Sequence, residues 1–322
     1  MEVGIFDILI LFSSLAISLA VVVPLAGVLV RFRANYNPKS LQLDPEDGPQ
    51  PHTGPIINSY FGMFKRVYQL ERLSGLYKGF MPTFLSTTAV TLVLLLAMDD
   101  PKPRHGRYSA PDTGVLGTLF YGILMSLIGL PTVILTYRST TTPHKLPWMN
   151  LMQSLRVLLT PTERRRPWVL YLTPGLLAAE FAHVGYVTLV LGTLRRLLLP
   201  ALSKPGIPTP SDFPPLRTII YISVVVVSTI ILTPLEVIST RLAIQRNHAL
   251  SEHNSVSQEV DGDAEDLPEY SPEEDVIGLR NEEDPYIGIV DCAQRILQEE
   301  GLRALYRAWW ITMLGGLAAA FT

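Results

Sequence analysis

Four stretches of this chain carry no charged residue: 8–30, 79–98, 113–137 and 218–235. A fifth, 167–194, carries one, Glu180. About 20 apolar residues in a helix cross a hydrocarbon core ~30 Å thick. Inside that core the backbone must satisfy its own hydrogen bonds. Five runs of this length predict an all-α membrane protein, not the two soluble domains that 322 residues alone suggest. A sixth and shorter run lies at 308–322. Ending at Thr322, it would make a helix of roughly 22 Å, less than a full crossing. Met1 to Ala20 has no basic start, carries Glu2 and Asp7, and outlasts the apolar core of a signal peptide. It is read as the first membrane helix, an uncleaved signal anchor being the other option.

Charge orders the spans. The connections after spans 1, 3 and 5 (31–78, 138–167 and 241–307) hold seven, six and six Lys/Arg, against three and four in 99–113 and 195–217. The positive-inside rule puts the three basic connections on the less-translocated face and, with six spans, both termini on the other. The single cysteine, Cys292, excludes an internal disulfide and a cysteine metal site. No phosphate-binding glycine loop, zinc-protease or serine-hydrolase motif is present, so no enzyme chemistry, cofactor, metal or nucleic-acid partner is expected.

Internal repetition follows. Pro24, Pro131 and Pro234 stand near the ends of the odd spans, and each is followed seven residues later by an arginine: Arg31, Arg138 and Arg241. "LYKGFMP" at Leu76, "LYLTPGL" at Leu170 and "LYRAWWI" at Leu305 open the even spans. The chain thus reads as one membrane domain, 1–322, with repeats at 5–98, 113–199 and 216–322. The basic connections contain amphipathic helices that lie along the membrane surface, with Phe64, Val67 and Tyr68 on one apolar face and Cys292, Ile296 and Leu297 on another. Residues 200–215 hold six prolines and read as a stiff connector. Residues 251–285 hold 13 Asp/Glu against Arg280. They predict a disordered acidic insert, either a tolerated surface insertion or a docking tail for a basic protein partner.

These features resemble the mitochondrial carrier family, whose repeats end the odd helix with Pro-x-acid-x-x-base-x-base. "PLEVISTR" matches that signature, and "YIGIVDCAQRILQEEGLRALYRAWW" is similar to the loop that follows it. "YQLERLSGLYKGFMP" is a thinner copy and "RRRPWVLYLTPGLL" a more eroded one. The resemblance implies a six-helix bundle around a central cavity, transport of a small-molecule solute by alternating access in contact with membrane lipid, and a mitochondrial membrane, inner or outer. It also implies a gate: a ring of ion pairs between the acid two after each proline and the base five after.

This sequence departs from that ring. The acid positions are Ala26, Val133 and Glu236, and the base positions are Leu29, Thr136 and Ser239. The acid–base motif of the even helices is also missing. Arg31, Arg138 and Arg241 either anchor helix ends at head-group level by snorkelling, or one of them pairs with Glu236 as a reduced latch. The family's solute-contact positions fall on Ser86, Glu180 and Gly315. His183 shares a helical face with Glu180. Together they suit a cationic solute or a proton relay, or else Glu180 is neutral or bonded between helices. Thr83, Thr87 and Thr91 form a hydroxyl stripe that either faces solute or bonds its own helix. Gly114, Gly117, Gly122 and Gly129 suggest close helix packing. The eroded gates leave a second function open: a non-transporting relative in the outer mitochondrial membrane, acting in membrane fusion, organisation or protein insertion.

Overall fold

The computed structural model describes residues 5–38, 42–44, 48–50, 55–97, 114–147, 150–203, 214–247, 269–270, 275–280 and 284–321. Three long helices dominate: α1 (Ile5–Ala34), α4 (Gly114–Thr141) and α8 (Pro215–Ile244), containing Pro24, Pro131 and Pro234. α2 (Tyr60–Leu76) and α3 (Phe80–Ala97) follow α1. α5 (Leu151–Leu158), α6 (Pro161–Arg165) and α7 (Leu176–Leu198, with a π-helical middle) follow α4. α9 (Ile289–Arg295, continuing as a π-helix to Glu300), α10 (Leu302–Leu305) and α11 (Trp309–Ala320) follow α8. The described strands, Gln42–Asp44 and Gly48–Gln50, pair in one small antiparallel ribbon.

Among the described residues, four helices are long and apolar enough to cross a membrane: Phe12–Ala34, Gly114–Thr141, Leu176–Leu198 and Pro215–Ile244. Their outward faces stay apolar, with Ile17, Leu116, Phe120 and Val227 all exposed, as suits a lipid-facing surface. α3 and α11 are apolar helices of 18 and 12 residues.

The prolines and the Leu-Tyr pairs are joined by one hydrogen bond, formed three times. A helical proline leaves the carbonyl four residues earlier without its N–H partner. Those carbonyls belong to Ala20, Leu127 and Ile230. Each accepts a tyrosine hydroxyl: Tyr77 at 3.0 Å, Tyr171 at 3.1 Å and Tyr306 at 3.1 Å. The spacing of the two sequence signals is therefore set by a backbone deficit and its remedy.

The arginines seven after each proline behave differently from both sequence expectations. Arg31, Arg138 and Arg241 are buried at 1%, 3% and 5% exposure, so they are not head-group anchors. Each meets a glutamate of the connection that follows it. Arg31 donates to Glu71 at 2.6 Å. Arg138 grips Glu163 with two bonds, 2.6 and 2.9 Å. Arg241 donates to Glu300. Helical periodicity puts Glu71 in line with the buried Met63 and Val67 of α2, pointing it at α1. Glu163 is fixed by a capping box with Thr160.

A second set of bonds closes a ring at this loop end of the bundle. The first residue past each long helix is Asn35, Thr142 or Gln245, and its carbonyl is one that a helix C-terminus leaves free. Thr142 O accepts from Lys78 at 2.7 Å, Gln245 O from Arg138 at 2.6 Å, and Asn35 O from Arg241 at 3.2 Å. Cations suit these ends because the helix dipole is negative there.

Other expectations are corrected by packing. The buried faces of the surface helices are Met63 and Val67 on α2, and Cys292 and Ile296 on the α9 segment, while Tyr68 and Leu297 are exposed. Thr83 and Thr87 bond their own helix at Gly79 O and Thr83 O, so they do not form a free hydroxyl stripe. Gly122 approaches Val184 closely, but space is open around Gly114 and Gly129. Most of the acidic stretch 251–285 lies outside the described residues. Of its described parts, 269–270, 275–280 and 284–285, the first two are docked on the bundle, with Ile277 buried at 6% exposure.

Two outcomes follow from these bonds. Tyr171→Phe orphans the Leu127 carbonyl and is expected to cost roughly 1 kcal/mol, read as a lower thermal midpoint in detergent. Burial pushes the Glu163 carboxyl up, but the Arg138 bonds and charge, with the N–H groups of Asn247 and Thr160, hold it below the ordinary value. Its contribution to stability is therefore complete above the ordinary carboxylate range and is lost as pH falls through the depressed value. Glu163→Gln is expected to lose about 3–5 kcal/mol at neutral pH, as when one partner of a buried pair is removed, and less in acid.

Candidate functional site

Between the long helices lies a cavity of about 670 Å³, lined from α1, α4, α7, α8 and α11. At its loop end stands Glu236, two residues after Pro234. α1 reaches it with Arg33 and α11 with Thr312. Arg33 donates to Glu236 Oε2 at 2.5 Å and to Thr312 Oγ1 at 2.9 Å, and Thr312 donates to the same carboxylate oxygen at 2.7 Å. One hydroxyl thus serves as both acceptor and donor, and three helices meet in one polar triangle.

The partner of Glu236 is therefore Arg33, and none of Arg31, Arg138 and Arg241. The reason is geometric. Leu29 occupies the position five after Pro24, and Arg33 is one helical turn further along the same face of α1. Both line the cavity. The base has moved one turn along the helix, and its long side chain reaches the same acid. A search confined to the signature positions misses it. The i+4 spacing from Leu29 was the available signal.

Glu180 and His183 of α7 also face this cavity, as does Gly315 of α11. His183 Nε2 lies 3.6 Å from Glu236 Oε1, an ion pair only when the histidine is protonated. Ser239, at the position of the lost third base, donates to the Glu236 carbonyl of its own helix at 3.4 Å. The structure therefore brings Glu180, His183 and Glu236 together. Ser86 of α3 is half-buried and lies outside the cavity lining. At the opposite end Arg195 and Arg196 line the wall, and Arg196 donates to Thr118 at 3.2 Å. Among the described residues no cluster of His, Cys, Asp or Glu could hold a metal ion.

Residues 222–322, which carry the Glu236 signature, the α9 segment and α11, match the family model described as mitochondrial carrier protein. Over those residues, about a third of its length, the chain is similar to the mitochondrial carrier family. Among the positions of that family's ion-pair ring, Glu236 alone is a charged residue. No curated protein matches the chain.

The three-helix triangle should behave as a coupled unit. Arg33→Leu leaves Glu236 without its cation, whereas Arg33→Leu with Glu236→Leu removes both charges. The double variant is expected to be more stable than the sum of the two single effects predicts, by roughly 1–3 kcal/mol. Thermal unfolding of the four proteins in the cycle measures it.

Proposed function

We propose that this protein is a solute carrier of a mitochondrial membrane, with six spans in three repeats, working by alternating access. The observation that carries this reading is the cavity: a half-open volume between the long helices, with Glu180, His183 and Glu236 facing it and the Arg33–Glu236–Thr312 triangle across its loop end. Carboxylates placed within a membrane bundle favour a role in binding or relay, because they are costly to keep there.

At the loop end, two carboxylates against one guanidinium leave one net negative charge while His183 is neutral, and the positive charges of Arg195 and Arg196 lie at the opposite end. That balance suits a cationic solute at Glu180 or a single proton shared through His183. Loop-end closure does not need the family's full ring, since the helix-end carbonyls are already held by Lys78, Arg138 and Arg241. Opening that end exchanges those bonds and the Arg33–Glu236 pair for others.

The apolar residues at Ala26, Leu29 and Val133 favour a second reading. In it the same scaffold is kept without transport, as a relative acting in membrane fusion, organisation or protein insertion in the outer membrane.

Purified protein in liposomes decides between them. Uptake of labelled metabolites and cations is expected, and Glu180→Gln is expected to abolish it. A folded protein that takes up nothing from a broad panel selects the second reading.

A further inference from the structure

The connection after α8 does more than join two helices. Tyr270 lies across the seam between two other parts of the chain. Its N–H donates to Pro143 O at 3.2 Å, just past the end of α4. The preceding Glu269 forms a β-bridge with His144. The Tyr270 ring sits beneath the Lys78 ammonium at 4.2 Å. Lys78 is the cation that holds the Thr142 carbonyl, so one tyrosine braces the seam between α1's connection and α4.

Asp275–Arg280 lies where α1 meets α8 and the segment after it. Gly278 donates to Asn35 Oδ1 at 3.0 Å, and Tyr36 N–H donates to Gly278 O at 2.7 Å. Arg66 of α2 donates to Asp275 O at 2.8 Å and Val276 O at 3.2 Å. Ile277 packs in the apolar cluster that includes Val28, Met63 and Val67, against which Ile244 of α8 also packs. Arg280 donates to Glu299 of the α9 segment at 3.1 Å. These contacts fall on two of the three places where the ring of cation–carbonyl bonds passes between long helices.

We propose that Glu269–Tyr270 and Asp275–Arg280 form a strap that holds the loop end of the cavity shut. Opening that end requires α1 to part from α4 and from α8, and the strap spans both partings. Because it belongs to the same chain, it rebinds at high effective concentration and biases the access equilibrium without a partner. This rests on the alternating-access reading given above.

The test uses a cysteine placed in the cavity, Ser239→Cys, in the full chain reconstituted with the loop face outward. A membrane-impermeant maleimide is added outside. Cys292 stays silent because it is fully buried and burial pushes its thiol up to about 12. Adding Tyr270→Ala is expected to speed labelling of the cavity cysteine about fivefold, roughly the equilibrium factor carried by one cation–π contact. Tyr270→Phe keeps the ring and is expected to stay close to the parent. A second variant, Gly278→Pro, removes the N–H bonded to Asn35 and is expected to accelerate labelling independently of Tyr270. Equal labelling rates in the parent and both strap variants, with thermal midpoints showing all of them folded, overturn the strap. Absence of solute uptake in every variant instead overturns the carrier reading, while the labelling ratio still reports the strap.

Discussion

The structure depends on what happens to backbone carbonyls that a helix cannot satisfy by itself. Each long helix has two such places: the carbonyl four before its proline, and the one just past its end. In a membrane no water repairs the first, and an unpaired carbonyl costs free energy comparable to a lost hydrogen bond. Tyr77, Tyr171 and Tyr306 supply the missing donors for the prolines. Lys78, Arg138 and Arg241 supply them for the ends. The donors for the proline deficits come from the connection that follows each helix, and those for the ends reach across to a neighbouring helix. Remedying the deficits therefore also fixes how the helices sit against one another.

This explains how the cavity closes without the family's full gate. Buried arginines need partners, and Glu71, Glu163 and Glu300 provide them from the connections. The loop end is then held by interactions made outside the cavity. Inside, Glu236 remains charged and recruits Arg33 from one turn beyond the usual base position. Ser239, at the usual base position, bonds back to its own helix at Glu236 O.

Much of this was legible in the sequence. Uncharged runs marked the long helices, because no folded soluble domain needs so many. The prolines, arginines and Leu-Tyr pairs marked equivalent places, the family resemblance offered Glu180 and Gly315 as solute contacts, and helical spacing added His183 to Glu180. The errors share a cause. Arg31, Arg138 and Arg241 were read as surface anchors or as latch partners because their glutamates lie 25 to 59 residues away in sequence. Ser86 was placed by counting from Leu-Tyr, which fixes a depth along α3 but not the direction that helix presents. The acidic stretch was read by composition, and composition is blind to a few anchoring residues such as Tyr270 and Ile277.

The sequence by itself determined the class of fold, the positions of the helical deficits and the residues able to remedy them, since these are local properties of apolar length, proline and side-chain type. Only the tertiary structure decided which donor meets which carbonyl, which cation answers Glu236, and that part of an acidic insert lies across the closed end of the bundle. Those outcomes depend on the relative rotation and height of the helices, and Arg33 reaches Glu236 because α1 and α8 are packed at one particular register.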